Sequence, residues 1–401
     1  MPNELCLNGA LRRPIRVVGF GGGYNQNGTL AFIFQHHDDA LSHRHRAKLV
    51  AGAFSDDSPD WSPLVAGYYD VDENRCYGNW KQCLEKEMTL LDKPDLAVIA
   101  TRNVDHYKTA LTCLQMGLHV VCEKPVTMTV LQAIDLKDVA AQHKRVFAVP
   151  HCYRHAPTAV LAQEMVEQGE FGHLLAARLR YIQGWEDRKM TLQECPQTWR
   201  NDATVGGVGG ATGDIQTHIF DFVRRVAQAK PLELLSEQRQ FVAGRNNDDY
   251  SVTLVRCEGS ALVTLIASQV TTSRANDVEM ELDFADASVE WKSRSTNELT
   301  VRRHGKVDEV YRDDPNAGWA QKYPKFRKAC HGPGGHWNGD LGRGWSRFYG
   351  EVLDDVATCV LGGQVDPAKA EYSTAEDGVW GMRLIHGANR SKGIWVPFPE
   401  K

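Results

Sequence analysis

No two of the ten cysteines lie in a C-x-x-C spacing, so the chain offers neither a zinc ribbon nor a redox dithiol. Scattered from Cys6 to Cys359, they read as reduced thiols. Long apolar runs are also missing: none approaches the ~18 residues that span a bilayer. The opening MPNELCLNGALRRP has no charged-then-apolar region of the secretory kind. A cytoplasmic, unanchored protein is therefore expected. Neither sign of charge dominates, with 46 Lys and Arg against 51 Asp and Glu and a formal net charge of -5. That balance gives no general attraction to nucleic acid or anionic membranes. The adjacent pairs Arg12-Arg13 and Arg224-Arg225 read as solvated faces. Internal repeats, low-complexity tracts and long Pro/Gly/Ser linkers are lacking too. What remains is an ordinary globular composition, 42% hydrophobic and 24% charged, over 401 residues, enough for two domains.

From about Pro14, short apolar runs alternate with longer amphipathic ones. IRVVGFGGG, KLVAGAFS, DLAVIATRN, HVVCEKP and VFAVPH read as strands. TLAFIFQHHDDAL, YGNWKQCLEKEM, HYKTALTCLQMG and VLQAIDLKDVAAQHK read as the helices between them. Near-continuous apolar strands separated by helices predict a parallel sheet covered on both faces. This is a doubly wound, Rossmann-like α/β domain over residues 1–155. The remainder, 156–401, changes character. Alternating runs such as YSVTLVRCEG, SALVTLIASQV and DVEMELDFAD predict an α+β domain with a large, open-faced, mainly antiparallel sheet. Helical patterns return at 343–361 and 373–391, and the final helix is a candidate to pack back on the first domain. The lack of a linker predicts close packing with a cleft between domains.

Chemistry gathers at the strand ends. The first strand runs into Gly19-Phe20-Gly21-Gly22-Gly23-Tyr24-Asn25, where glycines let backbone amides approach a pyrophosphate and the next helix offers its N-terminus. The third glycine of a G-x-G-x-x-G is replaced by Tyr24. Ser55 and Asp56, after the second strand, are placed for ribose hydroxyls and favour NAD, with NADP left open. Thr101-Arg102-Asn103, followed by His106, ends another strand at the edge where cofactors bind. Glu123-Lys124-Pro125 ends the next. Far downstream, WRNDATVGGVGGATGDIQTHIFD places Asp214 and His218 four residues apart, on one face if helical. No metal-ligand spacing is present, although Asp214, His218 and His151 or His336 are ligand types. The doublet His36-His37 and the HRH at 43–45 are expected to be solvated.

Taken together, the glycine loop, the E-K-P and the glycine-rich D-x-x-x-H resemble the Gfo/Idh/MocA oxidoreductases over nearly the whole chain. The G-E-x-G that opens the second domain and T-A-E-D-G at 374–378 extend the likeness. AGAFSDD, the W-R-x-D segment and G-H at 335–336 resemble the sugar-dehydrogenase branch that includes levoglucosan dehydrogenase. Departures fall at T-R-N for the usual T-P-N, at GGGYNQNG, and at Gln216 where Gly is common. They bear on cofactor preference and substrate.

Oxidising a secondary alcohol needs a hydride acceptor at the carbinol carbon and a base for the hydroxyl proton. Histidine, with an ordinary pKa of ~6.5, suits the base, so His218 is the candidate. Lys124 would donate to the same oxygen and stabilise alkoxide character. Asp214 would orient a substrate hydroxyl or the imidazole, and the resemblance implies the same three roles. Tyr153, Arg154, Trp199, Arg200 and His336 are further substrate-side candidates. The expected reaction is NAD(P)-dependent oxidation of a ring hydroxyl in a sugar, anhydrosugar, glycoside or cyclitol. The alternative is NAD-dependent glycoside cleavage by transient oxidation and elimination. A non-catalytic nucleotide sensor is a third class, opposed by the intact Lys124, Asp214 and His218. A homodimer or homotetramer through the open sheet face is expected.

Overall fold

A computed structural model describes residues 6–7, 10–11, 13–23, 32–42, 46–54, 62–185, 198–331 and 341–400. A short hairpin of β1 (Cys6–Leu7) and β2 (Ala10–Leu11) comes first. Strands and helices then alternate. They are β3 (Ile15–Gly21), α1 (Phe32–Ser42), β4 (Ala47–Ala53), α2 (Ser62–Tyr68), α3 (Trp80–Glu87) and β5 (Leu96–Ala100). The series continues with α4 (Asn103–Gln115), β6 (His119–Cys122), α5 (Val130–Gln142) and β7 (Phe147–Val149).

Beyond β7 come α6 (Pro157–Glu167), β8 (Leu174–Ile182), the short α7 (Thr198–Asn201) and α8 (Ala203–Gly206), and a π turn at Thr212–Gln216 that runs into α9 (Thr217–Val226). The strands that follow are β9 (Pro231–Arg239), β10 (Tyr250–Cys257), β11 (Leu262–Ser268), β12 (Asp277–Phe284), β13 (Ser288–Lys292), β14 (Glu298–Arg302) and β15 (Glu309–Arg312). Last are α10 (Pro324–His331), α11 (Leu341–Val360), β16 (Ser373–Thr374), α12 (Ala375–Ser391) and β17 (Val396–Pro397). No helix among the described residues is long and apolar enough to cross a membrane.

The chain forms two compact units. The first comprises Met1–Thr127, Leu131–Pro150 and Trp345–Gly378; the second comprises Met128–Val130, His151–Gly344 and Val379–Lys401. The first unit thus takes in a late stretch of sequence as well as the amino-terminal one. Its six-stranded sheet has the order β16-β7-β6-β5-β3-β4. β3 through β7 run parallel, and only the two-residue β16 is antiparallel, against β7. Val17, Val18, Leu96, Val98, Ile99, Val120 and Val121 are fully buried, which explains why these strands read as continuous apolar runs rather than alternating ones. β4 lies on one side of β3 and β5 on the other, so the direction of winding reverses at β3. The crevice outside the carboxyl ends at such a reversal is where ligands bind in open α/β sheets.

The second unit holds a nine-stranded sheet ordered β15-β14-β13-β12-β8-β11-β10-β9-β17, antiparallel except for β8 against β11. Its strands alternate: Val263, Leu265 and Ala267 are buried in β11, whereas Thr264 and Ile266 are partly exposed. One face is covered, by α6 and α9 among others. The cysteines whose side chains are described are free thiols.

His37 departs from expectation. It is fully buried rather than solvated, with its Nδ1 2.5 Å from the Tyr349 hydroxyl and Trp345 edge-on against its ring. The reason is helical spacing: Phe34, His37 and Leu41 share the inner stripe of α1. His43 and His45 lie outside the described residues.

Candidate active site

In the first unit the dinucleotide edge begins where β3 ends. Gly21 and Gly22 have φ of +88° and +92°, a region open to glycine. A Cβ on Gly21 would lie 2.3 Å from the Ala100 carbonyl oxygen at the end of β5, and one on Gly22 2.5 Å from the Phe34 ring. Gly19 is equally confined, 2.4 Å from the same ring. Gly21 and Gly22 are therefore demanded twice, by backbone twist and by close approach, and Gly19 by close approach alone. The Gly23 amide donates to Phe54 O at 2.7 Å, and the Tyr69 hydroxyl donates to Gly22 O at 3.1 Å. A turn this tight at the switch point fits a pyrophosphate approached by backbone amides. Tyr24, Asn25, Ser55 and Asp56 lie outside the described residues.

β5 and β6 deliver the other two motifs to the same edge. His106, on the first turns of α4, directs Nδ1 to Pro125 O at 2.8 Å and Nε2 to Thr101 O at 3.1 Å. One buried imidazole thus ties the T-R-N turn to the E-K-P turn. Burial lowers the pKa of His106, outweighing the contrary pull of those carbonyls and of Glu123. Asn103 is buried, while Arg102, at the N-cap of α4, is partly exposed and lies 3.7 Å from Asp105. Glu123 is buried and accepts from His37 Nε2 at 3.2 Å, and its other oxygen accepts the Lys124 amide at 3.2 Å. Burial pushes the Glu123 carboxyl up, but the His37 bond and the charges of His37, Lys124 and His106 outweigh it and hold the group below its ordinary range. Glu123 is therefore an ionised anchor inside the unit. The side chain of the neighbouring Lys124 is half-buried, and the Lys124–Pro125 bond is cis.

In the second unit the candidate catalytic residues Asp214 and His218 sit on the π turn and on α9. A π turn widens the helix locally and is frequent at functional positions. Asp248, buried beside it, accepts from the Gly210 amide at 2.7 Å and from the Thr212 amide and hydroxyl at 2.8 Å each. Gln216 is fully buried; its amide donates to Leu265 O at 3.2 Å and accepts from Thr253 Oγ1 at 3.0 Å. The side chain that replaces the usual glycine thus fastens the turn to β10 and β11. Asp214 accepts from Arg200 at 2.7 Å on one oxygen and from Gln269 at 2.7 Å on the other. Arg200 also lies over the Trp199 ring, 4.7 Å from its centroid, so two expected substrate contacts hold each other and the Asp214 carboxylate.

His218 is 8% exposed. Its Nδ1 lies 3.2 Å from Nδ1 of His151, the two rings edge-to-face, with Tyr153 and Tyr181 also against it. Tyr153 donates to the Tyr181 hydroxyl at 2.9 Å, and Tyr181 in turn to Asn276 at 2.9 Å. Burial pushes both phenols well up, so they are neutral donors. Arg154, in the turn after β7, is buried and pairs with the buried Asp221 of α9 at 2.9 Å. His336 lies outside the described residues. No cluster of three metal-ligating side chains occurs among the described residues. Sequence reasoning placed His37 in solvent and did not single out Tyr349, Asp248, Gln269 or Tyr181. The burial of His37 was legible in the spacing of α1; the others come from distant elements and left no local signal.

These features define a class: a Rossmann-fold, dinucleotide-binding oxidoreductase with a second, open-sheet domain. Residues 15–151 match the profile of an oxidoreductase family with an NAD-binding Rossmann fold, and residues 160–290 match the GFO/IDH/MocA C-terminal domain. The chain belongs to the Gfo/Idh/MocA family. An uncharacterised oxidoreductase of Bacillus subtilis is 26% identical over 98% of this chain and 100% of its own length. Levoglucosan dehydrogenase of Pseudarthrobacter phenanthrenivorans is 27% identical over 53% of this chain and 60% of its own. Among solved structures, an inositol dehydrogenase homologue of Azotobacter vinelandii in complex with NAD+ superposes with a TM-score of 0.87 at 26% identity, over 98% of this chain and 100% of that one.

Proposed function

We propose that this enzyme oxidises a ring hydroxyl of a neutral sugar, anhydrosugar, glycoside or cyclitol, with His218 as base and Lys124 as hydrogen-bond donor to the same oxygen. The observation that carries the reading is His218 itself. It is a buried imidazole on a helix anchored by Asp248 and Gln216, with Nδ1 turned to His151, so that proton exchange with substrate falls to Nε2. Bound NAD supplies the hydride acceptor. His218 accepts the hydroxyl proton, and the Lys124 ammonium stabilises the charge that develops on oxygen. Asp214, held by Arg200 and Gln269, keeps a carboxylate one turn before the base. A relative named levoglucosan dehydrogenase, and a neighbour described as an inositol dehydrogenase homologue, support a polyhydroxylated ring as substrate.

The same reading includes self-association through the exposed face of the nine-stranded sheet. There Val252 pairs with Ile266 and Leu254 with Leu235, four apolar side chains on one partly exposed surface.

The test is NADH formation at 340 nm with levoglucosan, myo-inositol, free pyranoses and alkyl glycosides. His218→Ala and Lys124→Ala are each expected to lower kcat by ~10²-fold or more. Unchanged turnover in both would overturn the assignment. Release of an alcohol from a glycoside without net NADH would replace dehydrogenation by redox-assisted cleavage.

A further inference from the structure

His151 follows β7 directly and faces the proposed base, nitrogen to nitrogen, at 3.2 Å. Both rings are almost fully enclosed, His151 at 3% and His218 at 8% exposure. Two like nitrogens at that distance attract only when one hydrogen lies between them. If His218 Nδ1 carries it, His218 Nε2 has a lone pair and can accept a proton. If His151 Nδ1 carries it, His218 Nε2 bears the hydrogen and can donate one. The position of a single proton therefore sets whether His218 acts as acid or base.

We propose that His151 is the proton partner of His218, a positioning residue that sets its tautomer and takes over its Nδ1 proton during turnover. The inference rests on His218 being the base. In the oxidation direction the substrate O–H bond breaks and an N–H bond forms at His218 Nε2. The Nδ1–H bond of His218 then breaks as the Nδ1–H bond of His151 forms. His218 is left neutral with its hydrogen on Nε2, and the positive charge resides on His151. Reduction runs the same steps backwards, with Nε2–H delivering its proton to the carbonyl oxygen.

The surroundings suit a shared proton. Tyr153 and Cys152 come from the turn after His151, and Tyr181 from β8; burial keeps both phenols neutral. Asp214 is the carboxylate one turn before His218 and is engaged by Arg200 and Gln269. Asp221, on α9 itself, is taken up by Arg154. On α6, Glu164 accepts the Phe326 amide and Glu167 pairs with Lys325. The full positive charges near the pair are thus matched by carboxylates, and the pair takes up a second proton only at lower pH than the first, because like charges this close oppose it.

The experiment uses the full chain with ring-15N histidine, and compares the natural sequence with His151→Asn, His151→Phe and His218→Ala. Asparagine presents an oxygen where Nδ1 was, so it accepts the His218 hydrogen but cannot take the proton. In the natural chain, the His151 and His218 nitrogens are expected to titrate in two coupled steps separated by more than ~1 pH unit. In either His151 variant His218 is expected to titrate in one step. With levoglucosan or myo-inositol as substrate, His151→Asn is expected to keep KM within a few-fold and lose kcat by ~10-fold. In His151→Phe the acid limb of kcat/KM is expected to move to lower pH by about one unit, since a phenyl ring shares no positive charge. A His218 titration unchanged in His151→Phe overturns the proton sharing. Full kcat in His151→Asn reduces His151 to a plain acceptor and overturns the relay. Retained turnover in His218→Ala overturns the base assignment itself, and the relay with it, even where coupled titration persists.

Discussion

Asp248 accepts three hydrogen bonds from the entry to the helix that carries His218, and a longer one of 3.3 Å from Gln238 on β9. Burial pushes its carboxyl up, while the Gly210 and Thr212 amides and the Thr212 hydroxyl pull it down. The Asp248 carbonyl also accepts the Ala211 amide at 2.7 Å and sits 2.1 Å from where a Gly210 Cβ would be, so the whole residue is moulded to that turn. Asp248→Ala strands two backbone donors in the interior. It is expected to cost about 2–4 kcal/mol and a lower Tm, readable by thermal unfolding, together with a fall in kcat from the loosened His218. Gly21→Ala is a different failure. Its φ of +88° and the Ala100 oxygen leave no room for a methyl, so NADH affinity is expected to fall at least ~10-fold in a fluorescence titration. The glycines were legible in the sequence because glycine has one physical advantage and the strand before them fixed its use. Asp248 was not, since an aspartate in a polar loop looks the same whether it faces water or a buried turn.

Elements here are shaped by what they bury. β6 contributes only apolar side chains and one histidine, His119, whose Nδ1 accepts the Val146 amide at 2.9 Å. Burial and the nearby Arg145 push its pKa down to about 4. Its folded value thus lies below the ~6.5 of an unfolded histidine, and the unfolded chain binds the extra proton between the two. Stability is intact above pH ~6.5 and is lost as pH falls toward 4, by roughly 3 kcal/mol from this group. His106 is lowered in the same sense and adds to the loss. Urea unfolding at pH 7.5 and 5 is expected to show the drop, and His119→Asn, which keeps an acceptor and removes the titration, to reduce it. The π turn at Thr212–Gln216 teaches a related lesson. The four-residue spacing of Asp214 and His218 predicts one helical face, and the stretch that carries Asp214 is a π turn with Asp248 and Gln216 bonded around it, which periodicity does not record.

For the molecule as a whole, the exposed side of the nine-stranded sheet mixes an apolar patch with ion pairs. Arg178 bonds to Glu281 and Asp283, and Arg180 to Glu279, beside the Val252, Leu254, Leu235 and Ile266 group. Exposed pairs of this kind are worth little in stability but fix register and exclude wrong partners. If this face joins copies of the chain, Leu254→Glu is expected to lower the mass seen by light scattering while leaving far-UV circular dichroism unchanged. The fold class and the alternation of strands and helices in the first unit were determined by the sequence alone, as were the turns at the ends of β3, β5 and β6, because strand burial, helical period and glycine chemistry are local and repeat along the chain. Only the tertiary structure decided that His37 meets the Tyr349 hydroxyl, that His106 ties two turns together, and that His151 faces His218. Each of those depends on residues far apart in sequence coming within a hydrogen bond of one another, and no local pattern encodes that distance.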